Sequence, residues 1–209
     1  MIIAIDAAST DLSVALAEPD GTLLADDAWS SAQRQSAELL PRLLALLAGS
    51  GRPLGAATAV AVGTGPGSFT GLRVAMALAK GLAIGLARPA VGVPSLRAWL
   101  DAEPDATAAI ARAGARDAYV LMREADAPLI VDRDELDSLT GPVIAASELA
   151  AAFGLDGSRT PRGARAIARR AAERLVTEPA GDDLSALEPI YLRAPRGVTV
   201  ESEERVTWL

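Results

Sequence analysis

The chain has 209 residues, of which 50% are hydrophobic but only 3% aromatic, so its core must be packed with Ala, Leu, Val and Ile. That length accommodates one large domain or two smaller ones. The formal net charge is −7, which argues against independent binding of nucleic acid, because a basic surface supplies most of that affinity. The chain contains no Cys and no His, which excludes disulfides, a cysteine nucleophile and a Ser-His-Asp triad.

The N-terminal segment does not resemble a targeting sequence. Residues 1–6 lack a basic leader, and Asp6 interrupts the apolar run too early for a signal peptide. The longest apolar stretch, residues 74–86, carries Lys80 and is too short to span a bilayer. We therefore expect a cytoplasmic protein that is neither secreted nor inserted in a membrane.

The first thirty residues predict three strands. Residues 2–5 form a short apolar run that ends in Asp6, and residues 12–17 alternate between apolar and polar with a period of two. A Pro-Asp-Gly turn at residues 19–21 precedes a further extended pattern at residues 22–25. Together these segments predict an antiparallel meander.

A Leu-rich helix is predicted next. Ser30 or Ser31 is a suitable N-cap, and the Gly-Ser-Gly sequence at residues 49–51 stops the helix. Pro41 lies inside the pattern, where it predicts a kink or the first full turn. Six leucines recur at helical spacing: Leu39, Leu40, Leu43, Leu44, Leu46 and Leu47.

Strands and helices then alternate. Residues 58–63 predict a buried strand, residues 71–87 a long helix and residues 89–93 another strand, after which Pro94 and Ser95 open one more helix. Such alternation is typical of the parallel half of an α/β domain. An antiparallel meander followed by parallel crossovers is the arrangement of the actin/hexokinase/Hsp70-like (ASKHA) fold, with two subdomains on a mixed sheet.

The composition changes after about residue 100. Residues 101–105 are acidic and contain a proline, which predicts a boundary between an N-terminal domain (1–100) and a smaller C-terminal α/β domain (101–209). The second half predicts paired strands at 107–112 and 117–123, shorter elements at 129–131 and 143–145, and a basic helix at 164–176.

The segment that carries most information is residues 63–73, Gly-Thr-Gly-Pro-Gly-Ser-Phe-Thr-Gly-Leu-Arg. Alternate glycines let the backbone approach a phosphate or another chain closely, and Ser68 or Thr70 can cap the following helix, whose N–H groups attract anions. The segment matches neither the P-loop nor the dinucleotide fingerprint, because the required Lys and third Gly are missing. Gly65, Gly67 and Ser68 are thus weak candidates for binding a cofactor, together with Asp6, and a tight strand–helix turn is the alternative for the glycines.

As a whole string, this segment resembles the signature of the bacterial tRNA threonylcarbamoyladenosine biosynthesis protein family TsaB (YeaZ). The resemblance extends to residues 3–6, 77–83 and 92–96, and to the sequence Pro-Ile-Tyr-Leu-Arg at 189–193. One departure is Gln35, which stands where the family often has His. Any role of that histidine cannot apply to this chain.

The resemblance implies that the protein has no catalytic or metal site and no cofactor. The family's first domain resembles that of the catalytic subunit TsaD, whose two metal-binding histidines correspond here to Ser95 and Trp99. Neither side chain replaces an imidazole as a metal ligand. Asp6 lies where related ATPases place a catalytic aspartate; an Asp that caps a turn, satisfied by Ser9 or Thr10, is the alternative.

The two long helices predict a surface for a partner. The helix at 74–86 is apolar nearly all round, and its small residues four positions apart would let a second helix approach closely. Burial against the sheet is the alternative interpretation. With the neighbouring Leu-rich helix, the predicted interface comprises Leu39, Leu43, Leu47, Val74, Ala77, Leu78, Gly81 and Gly85.

The resemblance implies a non-catalytic scaffold subunit of the complex that forms N6-threonylcarbamoyladenosine in tRNA. It would pair with TsaD, recruit the TsaE ATPase, meet tRNA only through the complex, and form a homodimer when alone. A small-molecule kinase or ATPase of the same superfold is the alternative, and it would require a second phosphate-binding loop in the latter half. A metalloprotease is a weaker alternative, because the metal ligands are missing.

Five arginines between residues 162 and 174 form a strip that fits either a solvated face or a site for phosphate or an acidic partner.

Overall fold

A five-stranded mixed sheet forms the first lobe of the computed structural model, which describes residues 1–31, 34–155 and 157–192. The strand order is β3-β2-β1-β4-β5, antiparallel from β1 to β3 and parallel from β1 through β4 to β5. The predicted meander and the parallel half are thereby confirmed. The strands are β1 (Ile2–Asp6), β2 (Asp11–Ala17), β3 (Leu23–Ser30), β4 (Ala59–Gly63) and β5 (Ala90–Val93).

Two helices cover one face of this sheet. They are α1 (Gln35–Gly49), which a 3₁₀ turn at Leu54–Ala56 follows, and α2 (Phe69–Leu86). Ile3 and Ile5 of β1 pack into the same core cluster as the buried sides of both helices. Because side chains alternate along a strand, Ile2 and Ala4 point to the opposite face. The sheet is therefore buried on both sides.

The opposite face is covered by α6 (Gly163–Thr177). Ala4, Ala15 and Ala61 of the sheet share a cluster with a row of small residues on this helix. Alanine on both surfaces lets the helix lie close to the strands, which explains how a chain with few aromatic residues still closes its core. The alanines of α6 in this cluster are Ala164, Ala166, Ala168, Ala171 and Ala172.

A second, four-stranded sheet forms the other lobe, in the order β8-β7-β6-β9. One of its faces packs against α3 (Ser95–Ala102), which follows β5, and the other against two short helices. Sequence patterns missed those two helices, α4 (Arg133–Asp137) and α5 (Ser147–Phe153). The strands are β6 (Ala108–Arg112), β7 (Ala118–Met122), β8 (Leu129–Val131) and β9 (Val143–Ala145).

The C-terminal segment returns to the first lobe, which corrects the expected domain division. A second domain at 101–209 would place α6 with the second sheet, whereas α6 packs on β1 and β2 of the first. After α6 the chain runs along the edge of β5, where Asp182 N donates to Ala90 O (2.8 Å) and Leu187 joins the core. The segment after α6 thereby covers β5, which is an edge strand of the sheet.

Helix α2 begins earlier than predicted and is 18 residues long. By length and composition alone these 18 residues could cross a membrane, a test that the core helix of a soluble protein passes as well. In the structure it packs on β4, and Leu72, Ala75, Met76, Ala79 and Ala83 are buried.

The N-cap of α2 is Ser68, as predicted. Its Oγ accepts a hydrogen bond from Gly71 N at 3.2 Å. The predicted serine cap of α1 is not formed, since Arg34 occupies that position.

Candidate functional site

A buried carboxylate lies at the carboxyl end of β1. Asp6 is 1% exposed, and its Oδ2 accepts a hydrogen bond from Trp99 Nε1 at 2.6 Å. Its Oδ1 accepts from Ser95 Oγ at 3.0 Å and from Ala8 N at 3.3 Å. Burial raises the pKa of Asp6 above its ordinary value, although the bonds from Trp99 and Ser95 act in the opposite direction.

Asp6 caps the turn through its bond from Ala8 N, but Ser9 and Thr10, the partners that the sequence suggested, do not bond to it. Ser9 Oγ instead bonds to the backbone of Asp11, donating to its carbonyl at 3.0 Å and accepting from its N–H at 3.1 Å. Two glycines close over the carboxylate, because a Cβ at either Gly63 or Gly163 would collide with its oxygens. Asp6 is therefore closely surrounded by protein groups, with 1% of its surface exposed.

Ser95 and Trp99 are the positions at which the resemblance places metal ligands in a catalytic relative. In this chain both side chains donate to Asp6, so hydrogen bonds between protein groups fill that space. Across residues 1–31, 34–155 and 157–192, no group of three or more His, Cys, Asp or Glu side chains is arranged to hold a metal ion. The donor set present does not fit a transition metal.

The Gly-rich segment makes a tight connection between β4 and α2. Gly65 has a φ of +90°, which L side chains rarely adopt, and its N–H donates to Ser95 Oγ at 3.1 Å. A Cβ at Gly67 would collide with Ala8 O, and Ser68 N donates to that same carbonyl at 2.7 Å. The glycines thus let this segment press against the β1–β2 turn, as the alternative interpretation expected.

A cleft of about 1100 Å³ separates this segment from the second lobe. Gly67 and Ser68 line it, whereas the other two candidates, Asp6 and Gly65, do not. The sequence did not predict several further lining residues, because distant parts of the chain supply them. Two of them stand out in the sequence for other reasons: Gln35 departs from the family pattern, and Thr10 is a suggested partner of Asp6. The further lining residues are Thr10, Gln35, Arg112, Arg116, Asp117 and Glu148.

The two sequence motifs meet at the start of α2. The rings of Phe69 and Tyr191 are 5.3 Å apart between centroids, and the guanidinium of Arg73 lies 4.0 Å from the Phe69 centroid. Arg73 Nε also donates to Tyr191 Oη at 3.0 Å. The last residue of the C-terminal motif, Arg193, lies outside the described residues.

The small residues of α2 face outwards. Ala77, Gly81 and Gly85 are exposed, and a Cβ at either glycine would meet open space. Ile84, on the same helix, is 68% exposed. Val74 and Leu78 are half-buried and pack against the core. The helix is buried against the sheet through its other side, as the alternative interpretation expected, whereas this row of small residues is exposed.

The expectation for α1 requires a correction. Leu39, Leu43 and Leu47 were predicted to contact a partner, but all three are buried in the core of the first lobe. The leucines that α1 exposes are Leu40 and Leu44. Because α1 and α2 contact each other on one face of the sheet, their outer sides form one surface. This α1–α2 surface comprises Leu40, Leu44, Ala77, Gly81, Ile84 and Gly85.

The arginine strip of α6 is engaged within the chain. Arg165 pairs with Asp26 of β3 at 2.7 Å, Arg170 pairs with Asp101, and Arg174 pairs with Asp182 and Glu178. Arg169 lies 3.9 Å from Glu173. These pairs tie α6 to β3, to α3 and to the segment that follows it, so four of the five arginines are paired with acidic side chains of the same chain.

The topology assigns the chain to the ASKHA class of α/β proteins: an antiparallel meander continues into parallel strands, and a second sheet faces the first across a cleft. A family model described as "TsaD: tRNA N6-adenosine threonylcarbamoyltransferase" matches residues 30–186. The tRNA threonylcarbamoyladenosine biosynthesis protein TsaB of Escherichia coli (strain K12) is 42% identical over 96 residues, which are 46% of this chain and 40% of that protein. The chain thus matches less than half of that relative's length.

Two further relatives match over nearly their whole length. An uncharacterized protein of Mycobacterium tuberculosis (strain H37Rv) is 30% identical over 93% of this chain and 92% of its own. The structure of YeaZ from Pseudomonas aeruginosa superposes with a TM-score of 0.71, at 23% identity, over 91% of this chain and 99% of that one. The chain belongs to the TsaB (YeaZ) family, within the group that the TsaD family model describes.

Proposed function

We propose that the chain is a non-catalytic scaffold subunit of the complex that forms N6-threonylcarbamoyladenosine in tRNA. In this proposal it pairs with a TsaD-type catalytic subunit in the cytoplasm and recruits a TsaE-type ATPase. The names of the relatives support the process: one is a tRNA threonylcarbamoyladenosine biosynthesis protein and the family model is that of the transferase. The role within the complex rests on the geometry.

The observation that carries the proposal is the α1–α2 surface. Leu40, Leu44 and Ile84 expose apolar side chains there, beside two glycines that leave the helix backbone uncovered. Exposed apolar side chains can mark protein interfaces, and small residues let a partner helix approach closely. When no partner is present, the same surface would pair with a second copy around a two-fold axis.

The buried carboxylate supports a role without catalysis. Asp6 is the acid best placed by sequence for chemistry, yet Trp99 and two glycines seal it away from the cleft. A kinase or ATPase of this superfold would need that carboxylate to reach its ligand, so this alternative loses its main candidate. The chemistry would belong to the partner subunit.

The charge distribution supports contact with tRNA only through the complex. The net charge is −7, and four of the five arginines on and before α6 pair with acidic side chains of the same chain. Binding of tRNA by the isolated chain would need a positive surface to displace condensed counterions. The described residues of α6 do not provide one.

Co-purification tests the proposal directly. Tagged wild-type chain, expressed in its native host, should retain a TsaD-type subunit and a TsaE-type ATPase, identified by mass spectrometry. Gly81→Glu should lose both, because it places a charge in the middle of the surface. Gly55→Glu is the matched control: that glycine is also exposed with open space around it, but it lies in the 3₁₀ turn. Recovery of both partners by Gly81→Glu would contradict the proposed interface.

A further inference from the structure

We infer that the two lobes are held at one fixed opening, so that the cleft between them does not close. Two-lobed proteins commonly close around a ligand by rotation about a few residues. In this chain, packing around α3 fixes the pivot of such a rotation, and a contact between Asp11 and Ser147, the Asp11–Ser147 latch, fixes its angle. The inference concerns the cleft and is independent of the proposed partnership.

Helix α3 belongs to the cores of both lobes. Ala98 packs with the alanines of α6 in the first lobe. Trp99 and Leu100, the next two residues, pack in the core of the second sheet together with Ala8 and Leu72 of the first lobe. All five residues are at most 1% exposed. Because the apolar contact between the lobes is continuous with both cores, it does not permit the relative motion that small polar interfaces allow.

Trp99 adds a directional bond to this packing. Its Nε1 donates to Asp6 Oδ2 at 2.6 Å, which ties α3 to the carboxyl end of β1. Gly163 closes over the same pair, because a Cβ at that position would collide with both side chains. Rotation of α3 against the first sheet would break the bond and leave a buried carboxylate without this donor, which is costly.

Two connections join the lobes, and the first, residues 103–107 between α3 and β6, is anchored by Arg123. The guanidinium of Arg123, which follows β7, donates to the carbonyl oxygens of Leu100 (2.9 Å), Glu103 (2.7 Å) and Ala106 (2.7 Å). The end of α3 and the connection are therefore held to the second sheet as one unit.

The second connection, between α5 and α6, is held at both lobes. Arg159 belongs to the second sheet, since Ala145 N donates to its carbonyl oxygen at 3.0 Å. Its guanidinium pairs with Glu103, so the two connections are also joined to each other. At the start of α6, Ala164 N donates to Ser13 Oγ of β2 at 3.0 Å. Few residues remain between these anchors to absorb a hinge rotation.

Asp11 forms the latch beside the cleft. It is the first residue of β2 and is 5% exposed. Its Oδ2 accepts from Ser147 N at 2.6 Å and its Oδ1 accepts from Ser147 Oγ at 3.2 Å, so the carboxylate holds the first residue of α5. Hydrogen bonds to an ionised acceptor are stronger than neutral ones. Together with Asp6, which bonds to α3, Asp11 attaches each end of the β1–β2 turn to a different helix.

A fixed opening has a consequence for function. Closure of two lobes over a nucleotide excludes water and completes a site for phosphoryl transfer. A chain whose lobes do not rotate presents a surface of constant shape instead, on which partners bound to either lobe keep one relative orientation.

Distances between spin labels on the full chain test the inference, and the absence of Cys makes the labelling selective. Ala37→Cys on α1 and Ala152→Cys on α5 are exposed positions on two helices that border the cleft. A second pair combines Ala37→Cys with Asp134→Cys on α4, in the same lobe as α5. Double electron–electron resonance should give one narrow distance distribution for each pair. Broad or two-component distributions for both pairs would show moving lobes and would overturn the inference.

Variants of the latch make the test specific. Asp11→Ala should broaden both distributions by about 2 Å or more, the scale of domain rearrangements. Asp20→Ala is the matched control and should change neither, because Asp20 also accepts a backbone N–H, that of Thr22 at 2.8 Å, but within a turn of the first lobe. Asp11→Asn keeps the volume and loses the charge, so it should broaden both distributions less, and it keeps the test available if Asp11→Ala fails to fold.

Two results with the latch variants would overturn the assigned role of Asp11. Unchanged distributions would show that the carboxylate does not hold the lobes. Broadening confined to the pair that includes Ala152→Cys would show that α5 frays while the rest of the second lobe stays in place.

Discussion

Arg73 Nε donates a hydrogen bond to Tyr191 Oη at 3.0 Å, although the two residues are 118 positions apart. Arg73 closes the Gly-rich motif and Tyr191 belongs to the C-terminal motif, so the contact joins the two segments that identify the family. Ile190 N reinforces it with a bond to Thr64 O at 2.8 Å. These two hydrogen bonds hold the C-terminal segment beside the cleft and the start of α2.

Tyr191→Phe should lower the free energy of unfolding by no more than about 1 kcal/mol, because it removes one exposed hydrogen bond and keeps the ring contact with Phe69. Tyr191→Ala should cost about 1–2 kcal/mol, since the ring contacts are lost too. Urea unfolding followed by circular dichroism measures both. Equal stabilities of the two variants would mean that the ring contributes nothing.

A second set of contacts holds the C-terminal segment at the edge of β5. Asp182 Oδ2 accepts from Gly92 N at 2.6 Å, and the same carboxylate pairs with Arg174. Burial alone would raise the pKa of Asp182, yet the bonds from Arg174 and Gly92 outweigh it and hold the pKa below its ordinary value of 3.8. The pair therefore stabilises the fold when the carboxylate is ionised.

Asp182→Asn should accordingly reduce stability at pH 7 by about 1–2 kcal/mol, the range for a hydrogen bond to a charged group. A depressed native pKa gives stability that is present above 3.8 and is lost as the pH falls through the lower native value. The difference between wild type and variant should thus shrink in acid. Unfolding curves at neutral pH and below pH 4 provide the comparison, and a difference that grows in acid would contradict the assigned role.

The buried carboxylate should show the opposite pH dependence. Burial raises the pKa of Asp6 above 3.8, so between 3.8 and the native value the folded chain holds a proton that the unfolded chain has lost. Stability should fall as the pH rises through that window. In Asp6→Asn this decline should be absent, so the free-energy difference between wild type and variant should move in the variant's favour as the pH rises. Parallel slopes for both proteins would contradict a raised pKa of Asp6, because they would show that it binds protons equally in the folded and unfolded chain.

The isolated chain should bind tRNA weakly and without strong salt dependence, because its arginines on α6 are paired within the molecule. Electrophoretic mobility shift or fluorescence anisotropy at two salt concentrations measures this. A submicromolar complex that weakens steeply with salt, formed without any partner, would contradict the prediction.

The strands and helices of the first lobe could be predicted from the sequence, because the patterns that indicate them are local. Alternation in residues 12–17, the turn at residues 19–21 and the Gly-rich stop before α2 each depend on neighbouring residues. Which leucines of α1 are buried could not be predicted in this way. Six leucines at helical spacing cover more than one face of the helix, so only packing decides that Leu39 is buried and Leu40 exposed. Short helices such as α4 have too few turns to show a period.

The candidate site was harder to predict for a related reason. The partner of Asp6 is Trp99, 93 positions away, and a local pattern favours the nearby Ser9 and Thr10 instead. The cleft likewise draws on several separate parts of the chain, which spacing cannot bring together. The return of α6 to the first sheet was missed because its arginines suggested an exposed helix, whereas the alanines between them form its packed side.

The last prediction concerns the outward-facing glycines of α2. Replacing Gly81 or Gly85 with Glu should leave the monomer folded, because a side chain at either position meets open space. Stability of the monomer should even rise, by about 0.5–1 kcal/mol, since Glu favours a helix more than Gly does. Within an interface the same side chain would separate the helices and bury a charge without a partner, at a cost of about 3–5 kcal/mol.

Both homodimer formation and pairing with a TsaD-type subunit should therefore be lost together in these variants. Light scattering coupled to size exclusion gives the mass of the isolated chain, and thermal unfolding reports whether the fold survives. Gly55→Glu provides the control for an added charge on an exposed glycine elsewhere. A variant that unfolds would show that this side of α2 is needed by the monomer itself. A folded variant that still dimerises would place the interface on another surface, because no partner helix could pack closely against the carboxylate side chain that either substitution introduces.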